Sequence, residues 1–360
     1  MYVVTPLERL AYLRGVVSND RGQSQALTLD RFLGERRRAN SGSAIRLKRE
    51  IAGHFWTVAP ALRAAITAAP EMPARPFQAI VKDETLGSVR ISGLLSDAPA
   101  SDTVVIILHG IGGDAHSPCC LAAARAVAQA GHASLRLSMR GADLSGEDIY
   151  HGGLTDDLRA ALASPELRRF RHVWLLGYSV GGHLALRAAI EQIDPRLRAA
   201  AAICPPLDLM AGAVAFDEPG RWLYRRYVFA GMNRGYAAVA ARRPVAVPLG
   251  VVKRARSAFE RDELTVIPRF GFASARDYYL RAGVAPVIDQ LAIPALVVAS
   301  LHDPIVPPHT LRAAVADASA ALKLRWVDGG GHIFFPPSVD LGFGGRPGVE
   351  HQVVNWLSRQ

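Results

Sequence analysis

The stretch HVWLLGYSVGGHLALRAAIEQ, residues 172–192, holds a run of apolar, β-prone residues, then a serine among glycines, then a helix-like segment. A serine hydroxyl is a poor nucleophile at neutral pH. One used for chemistry must stand clear of the backbone, near a base and near donors for an oxyanion. A strand, a tight turn and a helix achieve this, because the residue at the tip is pushed into a strained conformation that only small neighbours tolerate. Gly177, Gly181 and Gly182 are those neighbours around Ser179. The same turn would set the Val180 N–H at a helix start, where the dipole favours negative charge. G-x-S-x-G alone arises by chance, and it is the strand and helix around it that give it weight.

Working outward from Ser179, short β-rich runs alternate with helical ones. FQAIVK and SVRISGLL read as an initial pair of strands, and TVVIILHG at 103–110 is a continuous apolar run of the kind expected of a strand buried on both faces. SPCCLAAARAVAQAG then reads as a helix stopped by Gly131, HASLRLS as a strand, LTDDLRAALAS as a helix, and AAAIC as the strand after the Ser179 helix. After a long gap the pattern resumes with PALVVAS, a helix from about Pro308, KLRWVD, and a closing helix from Gly348 to Ser358. Repeated βαβ units predict an α/β fold with a mostly parallel sheet and helices on both faces.

The gap itself, residues 205–286, is rich in aromatic and arginine residues and lacks strong strands, as in RWLYRRYVFAGMNRGY and FGFASARDYYLRAG. It predicts a helical cap inserted into a core made of 76–204 and 287–360. Residues 1–75 are expected to form a helical extension. Within it lies the basic cluster Arg36, Arg37, Arg38, Arg46, Lys48 and Arg49, followed by IAGHFW. An amphipathic helix on a membrane surface is one reading of that segment, and a helix packed on the main domain is the commoner outcome.

Partners for Ser179 are sought at strand ends, the edge where open α/β sheets gather their reactive groups. HGIGGD at 109–114 follows the TVVIIL strand, which makes the backbone N–H of Ile111 a second candidate oxyanion donor beside that of Val180. The other reading of HGIGGD is an ordinary glycine turn. Asp303 follows PALVVAS, and His332 stands in a glycine loop after KLRWVD, so the chain order serine, acid, histidine is available. His302 is a weaker candidate base and Asp328 a weaker acid, the latter because the short GGG link to His332 makes a facing geometry awkward. His183 is expected to pack or cap, and His116, His132, His151 and His172 are expected at surface or structural positions. Capping accounts for Asp143, Asp148, Asp156 and Asp157.

Composition bounds the rest. Half of the 360 residues are hydrophobic, ample for a large core. Three cysteines, two of them adjacent, build neither a disulfide framework nor a zinc CxxC spacing, so a reducing cytoplasm is expected. The opening residues lack a secretory h-region, and His54, Pro60 and Arg63 interrupt the apolar run from Ile51 to Pro70, so a soluble protein is expected. The net charge of +10 is dominated by scattered arginine and accompanied by no nucleic-acid motif, which argues against a nucleic-acid partner. Without HExxH, Walker A or a GxGxxG after the first strand, neither a metal nor a nucleotide cofactor is expected.

GYSVGG, HGIGGD, the SMRGADLSG loop with YHGGLTDDL after it, FGFASARDYYLRAG, and the LHDP and GGGH loops together resemble the YheT-like, ABHD1–ABHD3-related esterase branch of the α/β hydrolases. The likeness runs from about Val104 to the C-terminus and departs at the front, where no NPHLQT-like segment precedes the first strands. It implies a serine carboxylesterase-like triad at Ser179, Asp303 and His332 under a helical cap. Some acyl-transferring relatives carry H-x-x-x-x-D after the catalytic histidine; IFFPP follows His332 here, so the resemblance does not support that activity.

The expected activity is hydrolysis of a small ester with a hydrophobic acyl group through an acyl-enzyme. The cap aromatics Trp222, Tyr224, Tyr227, Phe229, Phe272, Tyr278 and Tyr279 serve either as acyl contacts or, more commonly, as cap core. Thioester hydrolysis, acyl transfer and perhydrolysis would use the same three side chains, because pocket shape chooses the leaving group. A rival from another class is a non-catalytic module of this fold that binds an anionic partner or a membrane. The sequence does not report the oligomeric state.

Overall fold

The computed structural model describes residues 47–60, 62, 63, 66 and 72–360. Met1–Arg49 and Glu50–Gln360 form separate compact units. Of the first only residues 47–49 are described, and they are helical; Arg36, Arg37, Arg38 and Arg46 lie outside the described residues. Residues 50–75 belong with the sheet unit, beginning with a helix, α1, at residues 50–60.

Eight strands form one sheet: β1 (Arg75–Asp83), β2 (Gly87–Ser96), β3 (Thr103–Leu108), β4 (Ala133–Ser138), β5 (His172–Tyr178), β6 (Leu197–Ile203), β7 (Ala295–Ser300) and β8 (Leu322–Val327). Their spatial order is β1-β2-β4-β3-β5-β6-β7-β8. The opening pair is antiparallel and β2 joins β4 antiparallel, while every later pairing is parallel. All six residues of β3, β4 and β7 are buried; β3 and β7 read as unbroken or nearly unbroken apolar runs, whereas β4 alternates and buries Ser134, Arg136 and Ser138 on its second face.

Period-two geometry divides β3, β5, β6 and β7 between two cores, while the buried apolar residues of β1, β2 and β4 all join one of them. Val104, Ile106 and Leu108 pack on one face of the sheet with Leu184, Ala185 and Ala188 of α4 (Val180–Ile190), which follows α2 (Pro118–Gln129) and α3 (Asp156–Ala163). Val105 and Ile107 pack on the other with Ala123 and Val127 of α2 and with Val353 and Trp356 of the C-terminal helix.

Between β6 and β7 lie α5 (Leu209–Phe216), α6 (Trp222–Arg242), α7 (Leu249–Val252), α8 (Ala258–Leu264), α9 (Val266–Phe270) and α10 (Ala275–Ala282). They enclose a small core of their own around Leu209, Val266, Tyr278 and Tyr279. After β7 come α11 (Pro308–Ala314), β8 and α12 (Val349–Leu357). Trp222 and Tyr227 face outward, 54% and 77% exposed, so two of the aromatics of this segment belong to neither its core nor a closed pocket.

Arg140, one residue past the buried Met139 at the end of β4, is almost wholly buried. Its guanidinium meets Asp157 at 2.7 Å, Asp83 at 2.9 Å and Asp148 at 3.0 Å, and Arg269 of α9 reaches the same Asp83 and Asp148 at 2.7 Å. Asp148 and Asp157 are therefore members of an ion cluster that ties β1, the loop after β4, α3 and α9 together, a role capping does not describe. Asp143 stays in its loop, where it accepts from the Ser92 hydroxyl and the Ser145 N–H.

Candidate active site

Ser179 occupies the turn between β5 and α4 with φ 52° and ψ −123°, a conformation that costs a non-glycine residue about 1–3 kcal/mol. The turn holds because its neighbours leave no room for alternatives. A Cβ on Gly177 would lie 2.1 Å from the Gly181 carbonyl oxygen, and one on Gly181 would lie 2.3 Å from that of His109. The Ser179 N–H is fixed by the Ile203 carbonyl at 2.8 Å.

The loops after β7 and β8 complete a chain of hydrogen bonds at the same sheet edge. His332 Nε2 lies 3.0 Å from Ser179 Oγ, and His332 Nδ1 lies 2.9 Å from Asp303 Oδ2. The other carboxylate oxygen of Asp303 accepts the N–H groups of Ile305 and Val306 at 2.8 and 2.9 Å, so its rotamer is set from both sides. All three side chains are buried, at 6%, 5% and 7% exposure for Ser179, Asp303 and His332. His302 is held elsewhere, with Nε2 3.0 Å from Asp328 Oδ1, so the two rival candidates pair with each other. His183 spans Pro206 and Ala282 carbonyls at 2.8 and 2.9 Å and bridges the end of β6 to α10.

The glycine loop after β3 runs against the serine: a Cβ on Gly110 would stand 3.4 Å from Ser179 Cβ. His109, wholly buried, shapes that loop by donating from Nδ1 to the Gly110 carbonyl at 2.7 Å and accepting the Met139 N–H at Nε2 at 3.0 Å. Burial pushes its pKa down, which suits a ring that must keep one bare nitrogen. The Gly112 N–H is taken by the Tyr150 hydroxyl at 2.8 Å, and burial pushes that phenol up to about 12. Neither the Ile111 nor the Val180 N–H has an acceptor among the described residues. Tyr150 is the loop residue that sequence reading missed; its place at the end of GEDIY, ahead of the buried His151, is the only local signal.

Cys204 Sγ, Asp303 and His332 bring potential metal-ligand atoms within 4.8 Å of one another. Burial holds the Cys204 thiol well above its usual pKa and so in its protonated, weakly ligating form, and the other two groups are already hydrogen-bonded together. The residues present fit proton transfer better than metal binding. A cavity of about 110 Å³ lies behind the glycine loop, lined by Gly112, Gly113, Tyr150, Met232 and Arg261 and not by Ser179 or His332.

A parallel sheet with helices on both faces, crossed by this serine turn and by acid and histidine loops at one edge, is the architecture of the α/β hydrolases. The sequence profile of the alpha/beta hydrolase fold family matches residues 103–337, and the chain belongs to that family. Among curated relatives, it is similar to the putative esterase YheT of Escherichia coli, 27% identical over 71% of this chain and 76% of the relative. It is similar to the medium-chain fatty acid ethyl ester synthase/esterase 2 of Saccharomyces cerevisiae, 26% identical over 64% of this chain and 58% of the relative. To the human phospholipase ABHD3 it is 28% identical over 44% of this chain and 39% of that protein. By these likenesses the chain falls in the YheT/ABHD-like branch of the α/β-hydrolase family. No helix among the described residues is long and apolar enough to cross a membrane.

Proposed function

We propose that the protein is a serine carboxylesterase acting on a small hydrophobic ester, with Ser179 as nucleophile, His332 as general base and Asp303 as the acid that orients it. The observation that carries this reading is the continuous Ser179–His332–Asp303 hydrogen-bonded chain, in which each atom faces the partner that acyl transfer needs. His332 Nε2 accepts the Ser179 proton as Oγ forms its bond to the ester carbonyl carbon. The other ring proton stays on His332 Nδ1, donated to the Asp303 carboxylate throughout. The tetrahedral oxyanion is received by the N–H groups of Ile111 and Val180, and its collapse expels the alcohol, which leaves with the proton from His332. Water then enters by the same route and gives up a proton to Nε2 as it attacks the acyl-enzyme; collapse breaks the bond to Oγ, which takes that proton back from Nε2, and the carboxylic acid leaves.

Alcoholysis of the same acyl-enzyme is a second reading, supported by the likeness to the yeast ethyl ester synthase/esterase, whose name joins ester synthesis to hydrolysis. Thioester hydrolysis and perhydrolysis differ from it only in the nucleophile or leaving group. Purified protein given p-nitrophenyl esters of increasing chain length, acyl-CoA, and an ester with added ethanol separates these. Hydrolysis of esters, abolished in Ser179→Ala, is expected; turnover of acyl-CoA alone would replace the carboxylesterase reading.

A further inference from the structure

Helix α1 stands outside the residues matched by the family profile, yet it touches the proposed base. Thr57 Oγ1 accepts the His332 backbone N–H at 2.8 Å and donates to the Gly53 carbonyl at 2.8 Å. The packing leaves no space for side chains: a Cβ on Gly53 would meet the His302 carbonyl oxygen at 2.1 Å, and one on Gly331 would meet the Gly53 carbonyl oxygen at 2.2 Å. Beside this contact, His54 Nδ1 lies 2.6 Å from the Tyr224 hydroxyl, with the two rings stacked at 5.8 Å. One face of α1 is thus fastened to the His332 loop and to the start of α6.

The opposite character belongs to Ile51, Phe55, Val58 and Leu62, which recur at helical spacing and are 41–58% exposed. Trp222, Leu223 and Tyr227, flanking the Tyr224 contact on α6, are 54–77% exposed. Two helices joined at His54 and Tyr224 therefore both present large apolar side chains to solvent. Isolated exposed apolar residues are ordinary on protein surfaces, whereas a contiguous patch marks a binding surface.

Charge selects the occupant. Residues 205–286 contain thirteen Lys and Arg against seven Asp and Glu, more than half of the chain's net charge of +10. Arg226 is exposed between Leu223 and Tyr227. Apolar side chains at helical spacing beside basic ones suit a surface with an acyl layer beneath anionic headgroups. We propose that α1 and the start of α6 dock on an anionic lipid surface, and that the ester is drawn from that surface into the site, the latter resting on the esterase reading. Because Thr57 of α1 also accepts the His332 N–H, the docked surface is joined to the loop of the proposed base through one helix.

Full-length protein incubated with phosphatidylcholine vesicles, with and without phosphatidylglycerol, tests this by co-sedimentation alongside turnover of a water-soluble short ester. Binding to the anionic vesicles that weakens with salt is expected. Ile51→Ser with Phe55→Ser should lower it by about tenfold or more, since each buries a large apolar group in the acyl layer, while soluble-ester turnover stays within about twofold. Wild-type protein that ignores anionic vesicles, or a double variant that binds as wild type does, would overturn the proposal. So would a concentration-dependent dimer lost in the variant, which gives the face to a second copy. Protection of Ile51→Cys from maleimide in vesicle-free monomer would overturn it too, giving the face to another part of the chain. Vesicle binding without any ester turnover would uphold the docking and remove the esterase reading.

Discussion

His302 Nε2 lies 3.0 Å from Asp328 Oδ1, while His332 Nε2 lies 3.0 Å from Ser179 Oγ, so two histidines on neighbouring loops are separated into different pairs. The pairing predicts an asymmetry. His332→Ala should lower kcat for a p-nitrophenyl ester by about a thousandfold or more, as removal of a base does in serine hydrolases. His302→Ala should retain activity within several-fold. The reverse order of effects in steady-state kinetics would reassign the base.

Tyr150 holds the glycine loop from behind through the Gly112 N–H. Tyr150→Phe removes one hydrogen bond, worth about 0.5–1.5 kcal/mol net, and frees the loop that carries Ile111. A fall in kcat of up to about tenfold with little change in KM is expected. An unchanged kcat in the folded variant would show that the loop needs no such support.

His151 packs against Phe270, Phe272 and Tyr278, and burial followed by the nearby Arg140 and Arg269 charges pushes its pKa from 6.5 down to about 3. The folded protein keeps this ring neutral where the unfolded chain protonates it. Its contribution is thus fully present above about pH 6.5 and is lost as pH falls toward 3, by up to about 1.4 kcal/mol per pH unit. His151→Gln should give a shallower decline of urea-unfolding stability below pH 6.5. An identical acid slope in the two proteins would contradict the sign.

The Arg140 cluster should matter to stability more than to chemistry. Arg140→Met leaves Asp157 buried without its cation and leaves Asp148 with Arg269 alone, a change that costs about 3–5 kcal/mol in comparable buried pairs. A large drop in the urea midpoint is expected, with residual folded protein still active. A shift below about 1 kcal/mol would mean the carboxylates find other partners or take up protons.

The sheet was legible because its parallel strands are buried on both faces: TVVIIL and ALVVAS can be little else once helices flank them. The serine turn was legible for the same local reason, since Gly177 and Gly181 admit no Cβ. Asp303 and His332 were candidates because each follows a strand-like run, in the order serine, acid, histidine. What sequence could not carry was contact between distant segments. Thr57 meets the His332 N–H across 275 residues with no pattern near either to announce it. Asp157 sits in the first turn of α3, where a dipole explains an acid, yet its carboxylate is turned to Arg140. Trp222 and Tyr227 read as interior by composition, but α6 has no single apolar face to direct them inward.

The reactivity of Ser179 is the claim on which the chemistry rests. A fluorophosphonate probe reacts only with a serine made nucleophilic by a neighbouring base, and peptide mass mapping locates the adduct. Labelling confined to Ser179, lost in Ser179→Ala and in His332→Ala, is the predicted result. An adduct on another serine, or undiminished labelling of Ser179→Ala, would contradict it.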